Sequence, residues 1–194
     1  MRARVVVGAV ACAGLHFAPA YAERPHAPEL RAPMLPQMTV GLIAGGGVHE
    51  WRSGTAHGAF RFGGYGDVLF FRRRGSDMAL GPYAEVVTTN FSSVQVGGGL
   101  SWLVPVIADE LPFVLSGGLT GRKGAEGWGA MAAARLFWGS RSFNFHRAYG
   151  TAVGLFLEGR VGLGASRAAE AMVGLQLDAS FLAFPFLFVA SAAK

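Results

Sequence analysis

The chain has 194 residues, of which 52% are hydrophobic and 15% charged, with a formal net charge of +5. A soluble surface usually carries about 25–35% charged side chains, so an ordinary water-facing globule is a poor fit. The basic residues are scattered, which leaves no nucleic-acid footprint. Cys12 is the single cysteine, so no disulfide framework and no thiolate metal site is available.

The first residues read as an export signal. Arg2 and Arg4 precede an apolar run over residues 5–15, and Ala20-Tyr21-Ala22 is an A-x-A cleavage site. The run is shorter than the roughly 20 residues of a membrane-spanning helix. Cleavage near Ala22 removes Cys12, two arginines and no acid, and leaves the mature chain mildly basic. Residues 23–36 contain Pro25, Pro28, Pro33 and Pro36. They form an extended lead-in, because proline removes ladder donors.

From residue 37 to 181 apolar residues recur at every second position, the period of a β-strand. In chain order the apolar faces are Met38, Val40, Leu42, Ala44 and Val48; Phe60, Phe62, Val68 and Phe70; and Leu80, Ala84 and Val86. A fourth runs Val94, Val96, Gly98, Leu100, Trp102, Val104 and Val106, with Leu103 out of pattern. Then come Phe113, Leu115, Gly117 and Leu119, followed by Trp128, Ala130, Ala132, Ala134, Leu136 and Trp138. Val153, Leu155, Leu157, Val161 and Leu163 make the seventh, and Ala171, Val173, Leu175, Leu177, Ala179 and Phe181 the eighth. Turn chemistry separates them at residues 52–54, 74–77, 90–93, 108–110, 122–127 and 164–167.

The ionisable residues of these segments are Arg61, Asp67, Glu85, Arg135, Glu158, Arg160, Glu170 and Asp178, and each falls on the parity opposite the apolar face. An arginine or lysine facing lipid near the midplane costs about 2–4 kcal/mol. Inside a narrow barrel the same charges can pair. The pattern therefore predicts an all-β fold, a closed antiparallel up-and-down transmembrane β-barrel of about eight strands over residues 37–181. Residues 182–194 form an apolar tail or extend the last strand. Arg61, Asp67, Glu85, Arg135, Glu158, Arg160 and Asp178 are assigned to an interior polar network. Phe60, Phe62, Leu100, Trp102, Trp128, Leu136, Trp138, Leu175, Leu177 and Phe181 are assigned to the lipid face.

In this alternation, its aromatic ends and its last strand over residues 172–181, the chain resembles the small bacterial outer-membrane β-barrels of the OmpA- and OmpX-type eight-stranded class. Residues 172–181 are similar to the C-terminal assembly signal of that class, a glycine followed by alternating apolar residues and an aromatic end. The resemblance implies a bacterial outer-membrane location, outer-membrane lipid as the surrounding partner, and a structural role or contact with a surface or envelope partner through loops. Two departures stand out. The chain continues past Phe181, and with a periplasmic N-terminus the outward loops are shorter than the inward turns, the reverse of the usual order.

Catalytic chemistry finds little footing. A serine hydrolase needs a base beside its nucleophile, and none of His26, His49, His57 and His146 has a His-x-Ser spacing. A lipid A-modifying barrel enzyme is the catalytic alternative. His49, Glu50 and His57 flank a loop and are the one metal candidate, and no cofactor loop is present, since neither Gly45-Gly46-Gly47 nor Gly97-Gly98-Gly99 is followed by Gly-Lys-Ser/Thr. Glu158 and Arg160, two apart on one face, belong either to a salt-bridge network that fills the lumen or to a narrow channel. A soluble lipocalin-like binder of a small apolar ligand would need the apolar face turned inward. Trp51 and Arg52, and Arg122 and Lys123, read as exposed loop contacts. Arg72-Arg73-Arg74 reads as a solvated turn at a membrane boundary or as a site for anionic lipid headgroups.

Overall fold

A computed structural model describes residues 35–51, 55–106, 111–124, 127–143, 147–164 and 168–181. The signal sequence over residues 1–22, the lead-in up to residue 34, Arg52 and the tail over residues 182–194 lie outside the described residues.

Eight strands follow one another: β1 (Gln37–Trp51), β2 (Thr55–Leu69), β3 (Ala79–Thr89), β4 (Ser93–Val104), β5 (Phe113–Gly124), β6 (Gly127–Arg141), β7 (Ala152–Gly162) and β8 (Ala168–Asp178). Each pairs antiparallel with the next, and β8 pairs with β1 from Gly41↔Asp178 to Trp51↔Ala168. The sheet is thus a closed barrel with no free edge, which satisfies every strand on both sides. Three long connections (70–78, 105–112 and 142–151) lie at the end where β1 starts, here the turn end. Short connections (52–54, 90–92, 125–126 and 163–167) lie at the other, the loop end. The strand count is eight, so the short loops belong to this chain rather than to a missed strand.

The pleat is inverted relative to a water-soluble domain. Buried positions hold Arg61, Asp67, Glu85, Gln95, Arg135, Arg141, Glu158, Arg160 and Glu170, while Val86, Val96, Leu100, Leu119, Leu157 and Val173 are more than half exposed. A tight lumen demands small residues where backbones approach. Gly45 and Gly174 are register partners, and a Cβ on either would come within 3 Å of the Phe156 ring.

Leu103, which breaks the polar parity of its strand, is fully buried with Leu69, Ala79, Val114, Phe137 and Ala152. These residues form an apolar layer inside the barrel at the turn end. One rung is weakened: the β2–β3 pairing runs to Asp67↔Tyr83 and resumes as a single bridge at Phe70↔Leu80. Pro82 lies in the gap and has no N–H to give.

Three expectations change. β8 ends at Asp178, and Phe181 stands beyond it, about half exposed. Arg122 and Lys123 are not loop residues: both belong to β5, and Arg122 turns inward. Arg72 is buried rather than solvated, because its guanidinium folds back over the barrel end.

Candidate functional site

The distinctive chemistry lies in the lumen, where strand alternation delivers one to three polar side chains from each of β2 to β8. Arg61, Tyr65 and Asp67 come from β2, Glu85 from β3, Gln95 and Ser101 from β4. Ser116, Thr120 and Arg122 come from β5, Arg135 and Arg141 from β6, Glu158 and Arg160 from β7, and Glu170, Gln176 and Asp178 from β8. The side chains of Arg61, Arg122, Arg135, Arg141 and Arg160 oppose those of Asp67, Glu85, Glu158, Glu170 and Asp178, five cations to five acids.

In the loop-end half, Arg61 reaches two acids, donating through Nη1 to Glu158 and through Nη2 to Glu170. Arg160 donates through Nε to Glu158 Oε1 at 2.5 Å, through Nη2 to Glu85 Oε1 at 2.6 Å and through Nη1 to Gln95. Gln95 Nε2 in turn donates to Glu170 Oε1 at 3.0 Å. Nearest the loops, His49 Nδ1 lies 3.2 Å and Arg122 Nη1 3.9 Å from Glu170 Oε1.

In the middle, the Arg135 guanidinium lies 4.3 Å from the Tyr65 ring centroid and 4.5 Å from that of Phe156, and donates to Gln176 Oε1 at 2.7 Å. A cation between two rings is held by both π faces. Tyr65 stacks on Tyr83 at 5.6 Å, and its hydroxyl lies 3.0 Å from Ser101 Oγ and 3.2 Å from Ser116 Oγ. Toward the turn end, Arg141 grips Asp67 with both terminal nitrogens, and Thr39 Oγ1 donates to the same carboxylate at 2.8 Å. Asp178 accepts from the Tyr149 hydroxyl at 2.8 Å.

The seven residues assigned to the interior all lie on this side of the wall. Six share the lumen contacts above, and Asp178 stands apart, tied to Tyr149 and to the Ala152 amide. The interior assignment left out Gln95, Glu170 and Gln176, although all three stand on the inward parity, and sequence reading missed Arg141 and the inward turn of Arg122. Of the residues assigned to lipid, Phe60, Phe62, Leu100, Trp102, Trp128, Trp138, Leu175 and Leu177 are exposed on the outer face, and Leu136 shares that parity. The metal candidate does not assemble. His49 and His57 are register partners, but His57 is exposed, and two arginines compete for Glu170, the acid beside His49. Among the described residues no group of three or more histidines or acids is placed to hold a metal ion.

Comparison with known protein families, with curated proteins and with solved structures finds no match to this chain.

Proposed function

We propose that this chain is an integral outer-membrane β-barrel, akin to the OmpA- and OmpX-type class, with a structural or surface-contact role and no catalytic activity. The observation that carries the reading is the inverted pleat. On β6 the outward residues between Trp128 and Trp138 are Ala130, Ala132, Ala134 and Leu136. Ten residues of strand measure about 33 Å at ~3.3 Å each. At a tilt of about 40° they span about 25 Å, the height of the apolar band of an outer-membrane barrel. Phe60 and Phe70, both outward, have the same spacing. Lys123 lies on the outer face at the rim, with its ammonium 5.6 Å from the Trp128 ring. Aromatic girdles with a cation at the edge suit a lipid–water interface.

The lumen supports a scaffold over a soluble carrier. A lipocalin-like binder needs an apolar cavity, whereas here arginine–acid pairs, with Arg135 between two rings, occupy the lumen. The short loops leave structural support, or contact with an envelope partner at the rim, as the fitting role. Fractionation of the source cell tests the location. The mature protein is expected in the outer membrane and to resist extraction by alkaline carbonate. Recovery in the soluble periplasm without detergent would overturn the reading.

A further inference from the structure

The connection 70–78 places exposed rings and guanidinium groups in one turn. Phe70 continues the outward face of β2 and closes the ladder with Leu80, its N–H donating to the Leu80 carbonyl at 2.9 Å. Phe71 follows at φ +69°, in the left-handed region that bulky residues rarely enter. The residue is 68% exposed, and its ring lies 6.3 Å from that of Phe70. Met78, on the returning limb, is also exposed. Residues held in such sparsely populated backbone regions cluster at ligand clamps and other functional sites.

The rest of the turn is fastened so that two cations face outward. Arg72 folds inward, donating through Nη2 to the Gly75 carbonyl at 2.7 Å, with its guanidinium 5.0 Å from the Phe143 ring. It thereby clasps this turn to the connection between β6 and β7. Asp77, the acid of the turn, spends one carboxylate oxygen on the main-chain amides of Arg73 and Arg74, both at 2.9 Å. Arg73 and Arg74, in the same turn as Phe70 and Phe71, are exposed.

We propose that this turn is an anionic-lipid anchor. Phe70 and Phe71 seat in the hydrocarbon edge of the leaflet, and Arg73 and Arg74 take the phosphate of a lipid headgroup. The proposal rests on the bilayer reading above. Rings supply an apolar body at the level where acyl chains begin, and guanidinium forks match phosphate oxygens pairwise. The charge complement selects an anionic headgroup over a zwitterionic one.

The test is lipid selectivity of the full mature chain in phosphatidylcholine bilayers, read by electron paramagnetic resonance with spin-labelled phosphatidylglycerol or phosphatidylcholine. The wild type is expected to enrich the anionic probe severalfold over phosphatidylcholine at its surface, and less as salt rises. R73Q/R74Q is expected to lose most of that preference, and R73K/R74K to keep much of it. Motionally restricted lipid that shows the same preference in wild type and R73Q/R74Q overturns the anchor alone. Absence of any motionally restricted lipid overturns the bilayer reading and the anchor together.

Discussion

Arg61 of β2 and Arg160 of β7 donate to the same carboxylate oxygen, Oε1 of Glu158. Neither arginine stops there. Arg61 goes on to Glu170, and Arg160 to Glu85 and Gln95. The acids of three strands are therefore tied through two guanidinium groups, and removal of one cation strands several buried acceptors at once. Arg160→Met is expected to destabilise the barrel by roughly 3–5 kcal/mol, the cost of uncompensated buried charge. The double variant R160M/E158Q is expected to cost less than the sum of its parts. Urea unfolding in detergent, followed by tryptophan fluorescence, measures both. An R160M midpoint equal to that of the parent would remove the network from the list of what holds the fold.

Asp67 and Arg141 form the second buried clamp, with two parallel contacts and a hydroxyl from Thr39 on the same acid. Paired geometry of this kind is the stronger form of ion pair. A double-mutant cycle with Asp67→Asn and Arg141→Gln is expected to give a coupling of about 1–3 kcal/mol. A coupling near zero would mean that the clamp is incidental to stability.

The glycines divide by face. An alanine at Gly174 would meet the Ala44 carbonyl oxygen at 2.2 Å and the Phe156 ring at 2.8 Å, whereas nothing lies within 4 Å of a Cβ at outward Gly159. Gly174→Ala is expected to cost about 1–3 kcal/mol by overpacking. Gly159→Ala is expected to change stability by less than about 0.5 kcal/mol, as for an open surface site. Equal unfolding midpoints for the two variants would contradict the close packing at Gly45 and Gly174.

The side of the sheet on which a residue stands is a local property. Two-residue alternation around Arg61 or Glu158 is visible in a dozen neighbours, so wall, lumen and strand count are legible in the sequence. Strand ends are harder. Arg122 sits in a run of turn-forming residues, yet it keeps the parity of Thr120 and Ser116, and Arg141 keeps that of Arg135 and Phe137. Continued counting through the apparent turns would have found both. Partner choice is not local at all. Arg135 is the register partner of Glu158, yet its guanidinium leans between Tyr65 and Phe156 and bonds Gln176. That outcome depends on barrel stagger and ring packing, which no short window encodes. The apolar layer around Leu103 was visible only as an irregularity.

The Tyr149 hydroxyl, in the connection between β6 and β7, donates to Asp178 at the end of β8. Burial, then the hydrogen bond to Asp178 and its charge, push this phenol up to about 12 from the ordinary 10.0. A raised folded-state value means that the folded chain holds the proton more tightly. The stabilisation is therefore fully present below pH 10 and is lost as pH rises toward 12. Tyr149→Phe lacks this latch at every pH. The gap in denaturation midpoint between wild type and variant is expected to be constant from pH 7 to 9 and to close between about pH 10 and 12. A gap that persists unchanged at alkaline pH would count against the latch.

The apolar layer of Leu69, Leu103, Val114 and Phe137 bears on transport. It lies in series with the arginine–acid network, so an ion entering from the loop end meets paired charges and then buried, closely packed apolar side chains. Eight-stranded barrels have lumens just wide enough for side chains, and no ion crosses an apolar layer without hydration. Planar-bilayer recording of the wild type is expected to give no steady unitary conductance. Phe137→Ala removes the largest side chain of the layer and is expected to cost about 3–5 kcal/mol of stability. It is expected to remain silent, because Arg61, Glu158 and Arg160 still fill the next section. Stable steps in the wild type whose size changes with Glu158→Gln or Arg135→Gln would show a conducting path and replace the plugged scaffold with a narrow channel.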